Sequence, residues 1–429
     1  LFDKAKDTSQ QPLRAYLLGI RRREETPAEA AEHLAELTQL VDTMRVPVVG
    51  SEMTTVQGPT PQYLVGSGKA EEVKARAEMA GATLIIIDDE LTPAQQRNWE
   101  KLTGQAVIDR REVILDIFKQ RAQTSEARLQ VELARLEYSL PRLKRAWTHL
   151  ERQRGGGGFT GGAGEAQIEV DRRIVKDNIV KLKRELREVR QNRAVQRARR
   201  QGKPVPTAAL IGYTNAGKST LLNAMTGADV LAEDKLFATL DPTTRRVELP
   251  SRQELLLTDT VGFIRKLPHM LVEAFMATLE ESQLADLLLH VVDASHPTAI
   301  EQLQATNKVL EEIGVTDRPM LYVLNKIDCV ADEIAVAQLR QIAEPHVAVS
   351  ALTGQGLDEL KARLEQFVTK DLEPLSLLLP HSRHDLLGFL HREGNVRRET
   401  FEEDGIHLDV DLARKHHYRV ADFLVPATR

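Results

Sequence analysis

Between residues 13 and 110, short apolar runs alternate with segments whose apolar residues recur at helical spacing. "RAYLLGI" (14–20), "ATLIIID" (82–88) and "GQAVID" (104–109) read as strands. "AAEHLAELTQLVDTM" (30–44) and "GKAEEVKARAEMAG" (68–81) read as helices. The pattern predicts a small N-terminal α/β domain with a mostly parallel sheet over 1–110. A heptad follows: Leu129, Leu133, Leu136, Leu140, Leu143, Trp147 and Leu150 are spaced 4-3-4-3-4-3, with Pro141 expected to kink the helix. A second apolar seam runs through Val175, Ile179, Leu182, Leu186 and Val189. Between them lies "GGGGFTGGAG", which should not stay helical, because each glycine costs about 1 kcal/mol in a helix. The expectation over 111–203 is an antiparallel helical hairpin with a glycine-rich tip, its arms projecting roughly 30–40 Å at about 1.5 Å per residue.

From Thr207 onward, strand and helix patterns repeat. "TAALIG", "ELLLTDT", "LLLHVVDA", "PMLYVLNK" and "HVAVSA" read as strands, which predicts a doubly wound α/β domain over 204–372. After it, "LSLLLP", a helical "RHDLLGFLHREG" and "NVRRETFEEDGIHLDVDL", with a turn at Asp404-Gly405, predict a small α+β domain over 373–429.

Composition adds three restrictions and one asymmetry. A single cysteine, Cys329, excludes an internal disulfide and fits a reducing compartment. No apolar run approaches the roughly 18 residues of a membrane span. The first residues, "LFDKAKDTSQ", hold no secretory apolar core, so a cytoplasmic protein is expected. The net charge of −5 is unevenly spread: Arg142 to Lys203 holds eighteen Lys/Arg against seven Asp/Glu, a local +11, which leaves −16 on the rest. A basic segment on an acidic body is a candidate nucleic-acid surface; the plain alternative is a solvated helix face laced with ion pairs.

The chemistry sits in the doubly wound part. "GYTNAGKST" has the spacing G-x-x-x-x-G-K-[ST], with a strand before it and a helix after it. Glycines at 212 and 217 let backbone N–H groups curl around phosphates, and the helix starting near Lys218 points its positive end at them. Lys218 reaches β and γ oxygens, and the Ser219 hydroxyl ligates Mg²⁺. The nucleotide-lining segment is Gly212, Tyr213, Thr214, Asn215, Ala216, Gly217, Lys218, Ser219 and Thr220. A ligand-free glycine turn is the alternative, and the strand–helix context disfavours it. "NKID" follows the strand "PMLYVL", at Asn325, Lys326, Ile327 and Asp328. The Asp328 carboxylate can accept from guanine N1–H and the 2-amino group. Adenine lacks that pair, a mismatch worth about 10⁴-fold or more. Asn325 would brace the P-loop and the Lys326 stem would stack over the base. Ser350, Ala351 and Leu352, after a further strand, fit a backbone contact to the guanine oxygen. In "DTVGF", Asp259 would hold Mg²⁺ through water, and the Gly262 N–H would touch the γ-phosphate, flanked by Thr260 and Val261. Upstream, "LFATLDPTTRR" offers Thr239, Thr243 and Thr244 for a second Mg²⁺ ligand, and the spacing does not choose among them.

These segments together carry a resemblance. "GYTNAGKSTLLNAMTGA", "LFATLDPTTR", "DTVGFIRKLPH", "NKID", "GPTPQYLVGSGKAEEV", "LQVELARLEYSLPRL" and "EVDRRIV" resemble the HflX family of ribosome-associated GTPases, over nearly all 429 residues. The resemblance implies that the Mg²⁺ threonine is Thr239, in a nucleotide-lining run of Phe237, Ala238, Thr239, Leu240 and Asp241. It further implies GTP and GDP as ligands, the 50S subunit and its rRNA as partners, and separation of stalled or idle ribosomes under heat or other stress. The hairpin loop of that family is expected to approach the peptidyl-transferase region. DNA binding is not implied, and a monomer is expected. One departure stands out: where the family's loop has Arg-Gly-Pro before Gly-Glu, this chain has Phe159-Thr160-Gly161-Gly162-Ala163. RNA contact at the tip would then fall to Phe159 stacking, or to Arg152 and Arg154 at its base.

Phe263 stands where many GTPases carry a water-orienting glutamine. In related GTPases an asparagine at the position of Asn215 helps hold K⁺ near the β–γ bridge, so K⁺ dependence is expected, with Lys218, Asn215, Thr239 and Gly262 as the catalytic set. Ordering of residues 230–245 and 260–270 by the ribosome is the second source of catalysis, which makes a slow enzyme stimulated by its partner. Direct action by Arg265 ranks below both. The rival readings are a GTP-dependent regulator of a protein or tRNA-modification partner, with the hairpin as a dimerisation coiled coil, and a nucleotide-binding regulator that barely hydrolyses GTP. "GSGK" at 66–69 lacks P-loop spacing, so a second nucleotide site in the first domain is a minor expectation. The histidines of "HREG" and "KHH" lack metal-ligand spacing.

Overall fold

The structure, a computed structural model, describes residues 12–143, 161–200, 205–227, 236–237, 239–251, 253–266, 282–315, 318–370 and 372–425. The chain forms two compact units. One comprises Leu1–Asn192 with Leu231–Asp241 and Val261–Glu280; the other comprises Arg193–Val230, Pro242–Thr260 and Glu281–Arg429.

The first unit is built on a four-stranded parallel sheet: β1 (Ala15–Arg22), β2 (Val48–Val56), β3 (Leu84–Ile87) and β4 (Ala106–Asp109), in the order β2-β1-β3-β4. Helices α1 (Pro27–Thr43), α2 (Ser67–Met79) and α3 (Pro93–Thr103) make the crossovers, and α4 (Arg110–Arg121) follows the last strand. β3 is buried along its whole length, as expected of a central parallel strand covered on both faces. α1 and α3 start alike. Thr26 and Thr92 each accept from the backbone three residues on, Glu29 and Gln95 reach back, and a proline occupies the first turn.

The sequence pattern missed β2, α3 and α4. β2 has no alternation to read, since its residues are mostly half-buried at a sheet edge. Burial in this unit extends to charge: Arg110, 2% exposed, pairs with Glu36 and Asp88. Asp109 accepts from the Leu91 and Glu112 amides and the Tyr138 hydroxyl, and burial pushes its carboxyl up.

The two hairpin helices are α5 (Ser125–Leu143) and α6 (Gly161–Arg200). Their seams meet: Leu133, Leu182 and Leu186 are buried together, with Leu129, Leu136 and Ile179 packed against them. Lys183 pairs with Glu137 across the seam at 2.7 Å. Pro141 lies inside α5, two residues before its end. The glycine-rich run does not stop the helix as expected. α6 begins at Gly161, so Gly161, Gly162, Ala163 and Gly164 lie in its first turns. Extending an existing long helix needs no new nucleus, which offsets poor intrinsic propensity. Arg152, Arg154, Phe159, Trp147 and Leu150 lie outside the described residues.

The second unit holds two sheets. The larger has six strands: β5 (Thr207–Gly212), β6 (Thr243–Glu248), β7 (Glu254–Asp259), β8 (Leu287–Asp293), β9 (Met320–Asn325) and β10 (His346–Ala348), ordered β10-β9-β8-β5-β7-β6. All neighbours are parallel except β6, which returns antiparallel on β7. Its helices are α7 (Lys218–Thr226), α8 (Ala299–Glu312), α9 (Glu333–Ile342) and α10 (Leu357–Thr369). β6 was not foreseen: only Val247 of its six residues is buried, so the run reads as a polar loop. The smaller sheet is antiparallel, in the order β11 (Leu372–Leu379), β13 (Gly405–Ala413), β12 (Gly394–Glu402), with α11 (His384–Glu393) packed on it. This is the α+β arrangement expected of the C-terminal segment. Among the described residues no helix is long and apolar enough to cross a membrane.

Candidate nucleotide-binding site

β5 is buried from Ala208 to Gly212, and the chain leaves it at a glycine for a steric reason. Gly212 has φ +145°, and a Cβ there would lie 2.2 Å from the Val291 carbonyl oxygen on β8. The loop then turns through Asn215 at φ +59° and Gly217 at φ +92°. α7 starts after Gly217 with no side-chain cap hydrogen bond, and the first turn of a helix is a position that suits an anion. Lys218 is buried and folds back over the loop, its Nζ donating to the Gly212 and Tyr213 carbonyls at 3.1 and 2.8 Å. Burial pulls the amine down to about 8, opposed by the nearby Asp259 carboxylate. A buried cation of this kind calls for an anionic ligand.

Ser219 Oγ donates to Asp259 Oδ2 at 2.6 Å. Asp259 ends β7, fully buried. A hydroxyl and a carboxylate this close, at the N-terminal end of a helix, are a donor set that fits Mg²⁺ with phosphate. Among the described residues, the buried Thr214 hydroxyl has no hydrogen-bond partner. Thr260 Oγ1 donates to the Leu210 carbonyl at 2.6 Å and so braces β5 instead of facing a ligand. Thr244 Oγ1 bonds Thr258 Oγ1 at 2.9 Å, and Thr243 opens β6 opposite Asp259.

The base-recognition end is tied to the phosphate end by one side chain. Asn325 Nδ2 donates to the Ala216 carbonyl at 2.9 Å, and its Oδ1 accepts from the Ala351 amide at 3.0 Å. The expected brace on the P-loop is therefore present, and the Ala351 amide is engaged by Asn325. Asp328 is exposed; hydrogen bonds from Ser350, then from Cys329, hold its carboxyl below the ordinary range. Ser350 is buried, Leu352 is exposed, and Ile327 opens a single 3₁₀ turn with Asp328. P-loop, Asp259, Asn325–Asp328 and Ser350–Ala351 thus converge at the carboxyl ends of β5, β7, β9 and β10, the general ligand position in an open α/β sheet. Asp293, at the end of β8, was missed by the sequence reading. An acidic residue closing an apolar strand in this sheet was the available signal.

The remaining candidates belong to the first unit. Leu236, Phe237 and Leu240 are buried there, and the Phe237 ring meets Phe118 edge-on at 4.6 Å. Asp241 accepts from the Gln123 and Thr124 amides at 3.0 and 3.2 Å and from the Thr124 hydroxyl at 2.5 Å, at the start of α5. Thr239 lies half-buried between them; Ala238 is outside the described residues. Val261 and Phe263 are buried on either side of Gly262, Phe263 to 2% exposed. Arg265 pairs with Glu25 at 3.4 Å and Asp88 at 3.8 Å. Lys266 donates to the Asp88 carbonyl at 2.9 Å, and burial lowers its amine.

Four family models match in series: "GTP-binding GTPase N-terminal" over residues 31–119, "GTP-binding GTPase Middle Region" over 121–200, "50S ribosome-binding GTPase" over 207–326 and "HflX C-terminal domain" over 335–421. The GTPase HflX of Akkermansia muciniphila is 46% identical over 413 residues, 93% of this chain and 94% of that one. The GTPase HflX of Escherichia coli K12 is 44% identical over 87% of this chain and 88% of its own. Among solved structures, a GTP-binding protein of Sulfolobus solfataricus in complex with GDP is 27% identical, covering 83% of this chain and 99% of that one, with a TM-score of 0.45.

Proposed function

Because this chain belongs to the HflX family of GTPases, we propose that it binds the large ribosomal subunit and uses GTP binding and hydrolysis to hold, split or rescue stalled or idle ribosomes under stress. The observation that carries the reading is the convergence of Lys218, the Ser219–Asp259 pair and Asn325 on one loop, with Asp328 beside it. Lys218 and the first amides of α7 would take the β and γ phosphates; Asp328 would select guanine. Ser219 and Thr239 would ligate Mg²⁺, with Asp259 behind water. When bound, the ion neutralises charge on the β- and γ-oxygens.

Phe263 is packed in the core of its unit and does not orient water. Arg265 is held by two carboxylates, which disfavours it as a catalytic cation. Two sources of rate remain. Asn215, at left-handed φ in the loop, would contribute to a K⁺ site, and the ribosome would order the segments carrying Thr239 and Gly262. Loss of the γ-phosphate would release both segments and lower the hold on the ribosome. Exposed Arg173, Lys176, Lys181, Lys183, Arg184 and Arg187 on α6 would supply salt-sensitive affinity for rRNA phosphates.

The rival use of the hairpin as a dimerisation coil loses support because Leu133, Leu182 and Leu186 are already spent between α5 and α6 of one chain. The test is multiple-turnover phosphate release with and without ribosomes, alongside light scattering of 70S particles. Stimulated turnover and nucleotide-dependent loss of 70S scattering are expected, both abolished by Lys218→Ala. Turnover indifferent to ribosomes would remove the proposal.

A further inference from the structure

The carboxylate that closes β8, near the base end of the site, is held through both of its oxygens. Asp293 is 8% exposed. Its Oδ1 accepts from the Ser295 amide at 3.0 Å and from the Ser295 hydroxyl at 2.6 Å. Its Oδ2 lies 2.7 Å from Lys326 Nζ. The two strands meet here in register, Asp293 opposite Asn325, and the Ala294 amide donates to the Asn325 carbonyl at 2.9 Å.

Lys326 itself sits at φ +62°, ψ +34°, a left-handed conformation that costs a non-glycine residue energy. Its backbone is held on both sides: before it by the Ala294 bond to Asn325, and after it by the Ile327 amide donating to the Val349 carbonyl at 3.3 Å and the Cys329 amide to the Lys326 carbonyl at 3.0 Å. The backbone therefore fixes where the lysine stem starts, and Asp293 fixes where it ends. A free lysine would lose much rotamer freedom on packing its stem against a flat ring. Here that freedom is lost before a ligand arrives, which is the condition for preorganised binding.

We propose that Asp293 is a positioning residue for guanine recognition, acting through Lys326: it anchors the ammonium so that the aliphatic stem forms a fixed wall for the base. This rests on the nucleotide reading above and adds a residue to it. Ser295 serves the same end one step back, by holding the carboxylate's other oxygen.

The experiment is a double-mutant cycle on the full chain, read by displacement of a fluorescent GDP. Asp293→Asn keeps size and an acceptor for Ser295 but removes the charge; Lys326→Met keeps the stem and removes the amine. Asp293→Asn should weaken GDP about tenfold and raise KM for GTP alike, with kcat within about twofold of the parent. In the Lys326→Met background the same change should shift GDP affinity less than about twofold. Ser295→Ala should weaken GDP by a smaller factor, and not at all when Asp293 is already Asn. An unchanged GDP affinity in Asp293→Asn, an equal loss in both backgrounds, or a fall in kcat matching the rise in KM would each overturn the proposal, the last two assigning Asp293 a merely structural part. A parent protein that binds GDP no better than ADP would instead remove the nucleotide reading beneath it.

Discussion

Gly217→Ala is a test whose size follows from the coordinates. Gly217 has φ +92°, where an alanine pays about 1–2 kcal/mol of backbone strain. A Cβ there would stand 2.2 Å from Asn325 Nδ2, well inside contact distance. To make room, Asn325 must leave the Ala216 carbonyl and the Ala351 amide, two buried hydrogen bonds of about 1 kcal/mol each. The sum is about 3–4 kcal/mol, on the order of a hundredfold or more in affinity. Because the strain is relieved by moving the loop or Asn325, it should appear in nucleotide binding more than in global unfolding. The assay is GDP titration with urea unfolding in parallel. Gly227→Ala is the internal control: it shares the left-handed φ, +64°, with nothing among the described residues within 4 Å of its added Cβ, so it should cost only the backbone part, about 1–2 kcal/mol of stability, and leave GDP affinity alone. Placing Gly217→Ala in an Asn325→Ala background should reduce its effect to the backbone part. A full hundredfold loss in that background would refute the steric account.

Three further outcomes are expected. GDP affinity should fall as pH rises from 7 to 9: the free protein's Lys218, lowered to about 8, loses its proton over this range, while phosphate binding favours the charged amine, so binding above pH 8 must take up a proton; proton uptake measured calorimetrically in two buffers checks the sign. GTP turnover should be faster in K⁺ than in Na⁺ at equal ionic strength, and Asn215→Ala should remove the difference; equal rates in the parent would count against the K⁺ site. Leu182→Ala should destabilise the paired helices by about 2–3 kcal/mol in thermal melts and weaken ribosome binding while GDP binding holds, since the side chain lies in the seam between α5 and α6.

What could be read in advance was whatever depends on short-range chemistry. The P-loop, Asn325–Asp328 and Asp259 are spelled by residue type and spacing, and the strand before each was apolar enough to see. The turn at Asp404-Gly405 was legible for the same reason. What stayed hidden depends on partners far along the chain. β2 and β6 are edge strands whose mixed polarity looks like loop. Arg110 is indistinguishable in sequence from a surface arginine until Glu36 and Asp88 are placed around it. Asp241 stands beside Thr239 in sequence, and that its carboxylate holds the start of α5 depends on Gln123 and Thr124, more than a hundred residues away. α3 was a miss of another kind: Thr92, Pro93 and Gln95 spell a helix start that could have been read.

The measurement that bears most directly on the central claim is the affinity for isolated 50S subunits, determined by sedimentation at one salt concentration, with a non-hydrolysable GTP analogue and with GDP. A site that senses the terminal phosphate through Thr239 and Gly262 should bind at least about tenfold more tightly with the analogue, a coupling of about 1.4 kcal/mol. Equal affinity in the two nucleotides, with both shown to be bound, would contradict the account.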